Sequence, residues 1–142
     1  MSVKAIAIPG QHIKINTDPC TEPFWQKAKA GILTAAQCGA CGHFRMPPTP
    51  YCPKCRSQDT RWPELSGAGT VYSYVVCHKA PFAGIPDFTY IPVVVDLDGA
   101  PGARLVSNLF DIDPEEVTIG MKVQVAFNPI QDDWKLPIFR PA

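Results

Sequence analysis

Beyond residue 64 the chain is a succession of short runs in which apolar and polar residues trade places. Leu65 to His78 carries Val71, Tyr72, Tyr74, Val75 and Val76 and is entered through Gly67 and Gly69. Ile91 to Leu97 is β-branched and apolar, and Arg104 to Phe110 sets Leu105, Ser107 and Leu109 on one side. Lys122 to Asn128 alternates strictly, with Val123, Val125 and Phe127 opposed to Lys122, Gln124 and Ala126, and Leu136 to Phe139 is a short closing run. Period-two alternation is the mark of a half-buried strand, so this region predicts five strands. Between the third and fourth, Asp113-Pro114-Glu115-Glu116 supplies an N-cap, a proline at the first helical position and a capping-box glutamate, which predicts one helical turn. Five strands with a helical turn between the third and fourth is the order of an OB-fold barrel. Val75, Val93, Val123, Val125 and Phe127 are the expected core.

The periodicity changes upstream. Thr21 is placed to cap a short helix, with Glu22 and Pro23 in its first turn, Phe24, Trp25 and Ala28 at helical spacing and Gly31 at its end. A helix this short is marginal in water and must dock its aromatic face on something. Residues 1–20 read as an irregular arm in which Ile13 and Ile15 alternate with Lys14 and Asn16, a pattern that fits a short strand or a segment lying against something else. The expected organisation is an arm over 1–20, helix and cysteine unit over 21–62, and barrel over 63–142.

Composition sharpens this picture. A length of 142 residues suits one domain or two very small ones, and a hydrophobic fraction of 46% supports a core. The 16 prolines exceed twice the ordinary usage of about 5%, which favours loops and short strands over long helices. The formal net charge is zero, whereas a protein that tracks a phosphate backbone usually carries a basic excess. Nucleic acid is therefore not the expected partner. Tyr72, Tyr74, Phe82, Phe88 and Tyr90 fit a base-stacking platform, but the absent basic excess favours barrel core plus one hydrophobic loop. Met1 to Gly10 is too short and too broken for a secretory signal, and no stretch approaches the ~20 apolar residues that span a bilayer. A cytoplasmic protein with reduced thiols and no membrane association is expected.

The chemistry lies in the cysteines. Cys38-Gly-Ala-Cys41 and Cys52-Pro-Lys-Cys55 are two C-x-x-C pairs separated by ten residues. Four thiolates close the coordination sphere of a tetrahedral ion, so the site is structural rather than catalytic. The loop between the pairs is shorter than in the commonest zinc ribbons, which favours a rubredoxin-like ribbon. Iron suits the same donors, and two disulfides are the bland alternative. Residues 32–62 hold few large apolar groups beyond Ile32, Leu33, Phe44, Met46 and Trp62, so the unit needs its metal to fold. Zinc binding in such modules supplies about 10–16 kcal/mol. Cys20 and Cys77 lie outside the pairs. Cys77 and His78 adjoin, but on one strand their side chains face opposite ways and cannot act as a dyad. No catalytic triad, carboxylate pair or phosphate loop stands out.

Taken in order, these features resemble one family. An aromatic helix with Phe24-Trp25 precedes the four-cysteine ribbon, with Pro47-Pro48 before the second pair. Then come Gly67-Ala-Gly-Thr-Val-Tyr-Ser-Tyr, a loop with Phe82 and Pro86 leading to Tyr90-Ile-Pro-Val, and Ile119-Gly120-Met-Lys-Val before Val125-Ala-Phe. Over about residues 20–140 the chain resembles the zinc-ribbon plus OB-fold family of acyl-CoA-associated proteins, once known only as a domain of unknown function. The resemblance implies a non-catalytic subunit paired with a thiolase-fold partner, in complexes that make or break carbon–carbon bonds in acyl-CoA thioesters: thiolases, acyltransferases or aldolases of lipid or aromatic degradation. It implies structural zinc in this chain and a CoA thioester as ligand of the complex. A stand-alone acyl-CoA-binding protein and an OB-fold binder of single-stranded nucleic acid are the competing readings.

Contacts with partner or acyl-CoA are expected from Phe24 and Trp25 on the helix, from Lys54 and Arg56 on the ribbon, and from Lys79, Phe82, Phe88 and Tyr90. The last four belong to a segment, residues 79–90, far longer than a hairpin needs. It carries Phe82, Ile85 and Phe88, which are costly to leave in water, while Pro81 and Pro86 limit its freedom; this suits docking, because little ordering entropy remains to be lost, with folding back over the barrel mouth as the alternative.

Overall fold

A computed structural model describes residues 3–142. One eight-residue helix, α1 (Glu22–Lys29), is followed by ten strands. The first five are short: β1 (Leu33–Thr34), β2 (Ala36–Cys38), β3 (Phe44–Arg45), β4 (Thr60–Arg61) and β5 (Glu64–Leu65). The last five are β6 (Ala68–Tyr74), β7 (Ile91–Leu97), β8 (Arg104–Leu109), β9 (Lys122–Pro129) and β10 (Lys135–Pro141), and they close a barrel. Within it β6 pairs with β7, β7 with β8, β6 with β9 and β9 with β10, all antiparallel, and a parallel contact of Phe139 with Leu109 joins β10 to β8. The barrel's first strand thus lies between its second and fourth, and its third beside its fifth, which is OB topology. The expected mainly-β fold with ribbon and five-stranded barrel is what forms.

The core follows from the alternation. Ile91, Val93, Val95 and Leu97 of β7 are buried and face Val71, Val123, Leu109 and Phe139 inside the barrel. Val125 and Phe127 pack on this core while half-buried. Val75 does not: it is 54% exposed. The register shifts between Val71 and Ser73, where a bulge inserts Tyr72 as an extra residue. A one-residue slip reverses which side chains point inward, so Val76 packs against the core in place of Val75.

Two local readings need correction. Thr21 is already helical, at φ −98° and ψ −19°, and its side chain caps nothing. The chain turns into α1 three residues earlier, where the Asp18 carboxylate accepts from the amides of Cys20 (2.8 Å) and Thr21 (2.9 Å) and its carbonyl accepts from Glu22. Ile13 and Ile15 form no strand but lie half-buried against the rest of the chain, Ile13 O accepting from the Gln131 amide at 3.4 Å; the arm's regular element is a 3-10 turn at Gly10–His12. The turn after β8 forms as expected over Pro114–Glu116, with the Asp113 side chain accepting from the Glu115 amide at 3.0 Å.

The ribbon hangs from the barrel's N-terminal side. β2 pairs with β3 and β4, and the two-residue ladder of β1 with β5 links ribbon to barrel. Phe24 and Leu33 are buried in the same core as the barrel strands. α1 packs against β1 and β10.

Candidate metal centre

The two cysteine pairs adopt one backbone figure twice. In the first knuckle the Cys38 amide donates to His43 O (2.8 Å) and the Gly42 amide to Cys38 O (3.0 Å). In the second the Cys52 amide donates to Ser57 O (2.9 Å) and the Arg56 amide to Cys52 O (2.9 Å). Each knuckle requires left-handed backbone at its fifth residue, Gly42 at φ +82° and Arg56 at φ +66°. Gly39 carries no such constraint: a Cβ there would meet only the carboxylate of exposed Asp59, which can rotate away.

These knuckles bring all four sulfurs within 4.8 Å of one another, Cys38 to Cys55 at 3.5 Å and Cys41 to Cys52 at 3.6 Å. A disulfide holds its sulfurs at about 2.05 Å, so the bland alternative fails. Four sulfurs each ~2.3 Å from a central zinc in tetrahedral array lie about 3.8 Å apart, and the cage has that size. Cys38 and Cys52 are buried and Cys41 and Cys55 exposed. The amides of Cys41 and Ala40 hold the Cys38 thiol at about 6, against the opposing effect of burial. The Cys55 and Lys54 amides likewise lower that of Cys52. For Cys55 the Ser57 amide pulls downward, but the neighbouring thiol of Cys38, burial and the other two cysteines prevail and push it up to about 11. Amide donors aimed at thiolate sulfur are what a cationic thiolate centre needs. The residues fit zinc, which would hold the two knuckles together and, with four protein ligands, leave no position for substrate.

The other candidate residues are dispersed. Phe24 and Trp25 stack edge-to-face at 5.0 Å and wall an apolar pocket of about 320 Å³. Its other walls are Met46, Pro47 and Pro48 from the ribbon and Leu105 and Val106 from the barrel. Lys54 and Arg56 stand exposed on the second knuckle, and among the described residues neither forms an ion pair. Lys79 meets Asp87 at 3.9 Å with both side chains exposed. Phe82 is 38% exposed and touches His12 of the arm (5.8 Å between rings), while Phe88 lies 5.4 Å from half-buried Tyr90. Burial, then the neighbouring Cys77, raise the Tyr90 phenol. Cys77 and Tyr90 form an isolated backbone bridge, and His78 Nδ1 bonds Thr89 Oγ1 at 3.0 Å, so Cys77 and His78 are engaged separately.

Sequence reasoning missed Arg45. Only 6% exposed, its guanidinium donates to Thr49 O (2.9 Å) and Thr60 Oγ1 (2.6 Å) and ties the inter-knuckle loop to β4. An arginine one residue after Phe44 gave no signal of burial. No helix among the described residues is long and apolar enough to cross a membrane.

Fold and site together define a rubredoxin-like zinc ribbon carried on an OB barrel. Comparison with family models agrees: residues 25–61 match the ChsH2 rubredoxin-like zinc ribbon domain and residues 62–128 the ChsH2 C-terminal OB-fold domain. A DUF35 domain-containing scaffold protein of Methanocaldococcus jannaschii is 38% identical over 103 residues, 71% of each chain. The chain therefore belongs to the DUF35 family of zinc-ribbon/OB-fold proteins. It is also 40% identical over 120 residues to a probable enoyl-CoA hydratase alpha subunit of Thermomonospora curvata, covering 84% of this chain but only 37% of that longer one. Among solved structures, one described as an Ltp2-ChsH2(DUF35) aldolase superposes with a TM-score of 0.80 at 34% identity, over 90% of this chain and 98% of the other.

Proposed function

We propose that this chain is a non-catalytic subunit of a heteromeric acyl-CoA enzyme, stabilising a thiolase-fold partner that carries the nucleophile and base. The observation that carries this reading is the near-complete overlap with a chain of the structure described as an Ltp2-ChsH2(DUF35) aldolase, 98% of whose length is matched. Similarity to a probable enoyl-CoA hydratase alpha subunit supports the coarser part, a role within acyl-CoA enzymes. The site's chemistry supports the accessory part: the four-thiolate cage is closed, and Cys77 and His78 are occupied apart from each other.

In this reading the 79–90 loop and the helix face reach the partner. Phe82 and Phe88 are the apolar contacts, and Phe24 and Trp25 offer the pocket at the helix–ribbon–barrel seam. Lys54, Arg56 and Lys79 face the CoA phosphates. The exposed Lys79–Asp87 pair is worth little, so Lys79 can exchange it for a phosphate, and Tyr90 lies at the loop's end beside them. A reduced-thiolate cage suits the cytoplasm. The nucleic-acid reading is disfavoured because the formal net charge is zero, without the basic excess that binding a phosphate backbone calls for.

The test is reconstitution. The purified chain should show no thiolysis, condensation or retro-aldol turnover of acyl-CoA, and should co-purify with a co-expressed thiolase-fold subunit and raise its activity. Phe82→Ala and Phe88→Ala should stay folded and zinc-loaded but weaken that assembly. Turnover by the chain alone would overturn the accessory role, and normal assembly of both variants would move the interface to the Phe24-Trp25 helix and the arm.

A further inference from the structure

The ribbon sheet runs β3–β2–β4, with β2 in the middle. Arg45 of β3 is paired with Ala36, and Thr60 of β4 with the metal ligand Cys38. Paired residues, and residues two apart on one strand, share a face of a sheet. Arg45, Ala36, Cys38 and Thr60 therefore project from the same side. Arg45 Nη2 donates to Thr60 Oγ1 at 2.6 Å. To reach it from β3, the side chain passes across β2 over Ala36 and Cys38. Its second anchor lies at the other knuckle. Arg45 Nε donates to Thr49 Oγ1 at 3.1 Å, and that hydroxyl donates to Tyr51 O at 2.7 Å, one residue before Cys52. The guanidinium is thus tied beside both buried ligands, Cys38 and Cys52.

Its charge is not answered by any neighbouring carboxylate. Arg45 is 6% exposed, its hydrogen-bond acceptors are neutral oxygens of Thr49 and Thr60, and Nη1 is buried without a partner. No ion pair among the described residues includes it, and the exposed Asp59 carboxylate lies against Gly39. A buried cation without a counter-charge is strongly destabilising, and arginine does not escape the cost by losing its proton. Lys54 and Arg56 face no such cost, because they stand in water. An answering charge is available on the same face of the sheet. Four thiolates and a divalent ion leave the cage two charges negative, and attraction through a protein interior is stronger than through water.

We propose that Arg45 is the internal counter-charge of the metal centre. Its guanidinium offsets the loaded cage from the buried side, which tightens zinc and biases the cage towards divalent over trivalent metal. The proposal is independent of the acyl-CoA reading.

The test separates charge from hydrogen bonding in the full-length chain. Arg45→Gln removes the charge but keeps an amide that can donate to Thr49 or Thr60, whereas Arg45→Lys keeps the charge and loses the planar fork. Thr60→Val removes an anchor and no charge. In competition with a chromophoric chelator, Arg45→Gln should weaken zinc at least about tenfold, while Arg45→Lys and Thr60→Val stay within about threefold of the parent. Unchanged affinity in Arg45→Gln, or zinc held no better by Arg45→Lys than by Arg45→Gln, would overturn the proposal and leave Arg45 a structural tie. The reduction potential of the iron-exchanged chain adds a readout with a sign, since net charge and solvent exposure both set it. One-electron reduction at an electrode takes the four-thiolate iron cage from one negative charge to two. Loss of the cation should therefore lower the potential in Arg45→Gln, and Thr60→Val should leave it in place. Water entering a loosened cage would raise the potential, so a rise or no shift in Arg45→Gln refutes the counter-charge. Should Arg45→Gln take up no metal, the two charge-retaining variants decide. Zinc affinity within about threefold of the parent in both supports the proposal, and a larger loss in either overturns it.

Discussion

The repeated knuckle makes a test in which two substitutions must move zinc affinity in opposite directions. Gly42 and Arg56 occupy the same place in the two knuckles, and both are left-handed. For a residue with a Cβ that conformation costs about 1–2 kcal/mol. At Gly42 the nearest atom to an added Cβ is Gln37 Nε2 at 3.9 Å, so Gly42→Ala meets no obstacle and reports backbone cost alone. Because a small ribbon folds with its metal, that cost should appear in zinc binding. Alanine also removes glycine's extra freedom in the unfolded chain, which offsets about 0.5–1 kcal/mol, so with 1.4 kcal/mol per factor of ten Gly42→Ala should weaken zinc by roughly two- to fivefold. Arg56→Gly relieves the same strain, but glycine's extra freedom in the unfolded chain returns about 0.5–1 kcal/mol. A net tightening of about two- to fivefold remains. Competition against a chromophoric chelator at fixed pH measures both. Unchanged affinity in Gly42→Ala, or weaker zinc in Arg56→Gly, would refute the shared geometry. In the reconstituted complex the same Arg56→Gly should lower CoA affinity if Arg56 faces the phosphates, so tighter zinc with weaker CoA separates the two roles.

Cys41→Ser should lose zinc and disorder the ribbon whereas Cys77→Ser should keep its zinc, as elemental analysis of the purified variants will show. Phe139, fully buried where β10 closes on β8, should cost about 3–5 kcal/mol when cut to alanine. The exposed Val75→Ala should stay within about 0.5 kcal/mol in the same denaturant titration, and a comparable loss there would contradict the bulge at Tyr72.

What the sequence disclosed was local. The cysteine spacing states its own geometry, since two C-x-x-C knuckles have few ways to share an ion. The β7 strand was legible because it is a short, continuous run of β-branched apolar residues, and the one capped turn because Asp113 and Pro114 sit side by side. What failed needed information from elsewhere in the chain. The slip at Tyr72 depends on how β6 meets β7, and no residue type announces it. Asp18 outcompetes Thr21 because its carboxylate reaches two amides in a preceding turn, while either residue looks like a cap in isolation. The arm was unreadable for the same reason: its partners Asn108, Asp111 and Gln131 lie about a hundred residues away, and a segment held by its main chain carries no side-chain pattern to detect.

The architecture also separates what zinc must hold from what it need not. Every ladder that closes the barrel runs between β6 and β10, and none passes through the ribbon. The ribbon joins it by the two-residue β1–β5 ladder and by Phe24 and Leu33 in the shared core. The pocket at the seam is different: Met46, Pro47 and Pro48 form one wall and come from the loop between knuckles. That loop is held by Arg45, which reaches Thr49 behind it and Thr60 on β4, and β4 is kept beside β2 by the knuckles. Stripping zinc with a chelator should therefore leave β7 amides protected while those of β2 exchange freely and the pocket loses a wall. Assembly with the partner should fall with the metal although the barrel survives. If the zinc-free chain assembled normally, the seam would not be an interface, and the 79–90 loop would have to carry the contact alone.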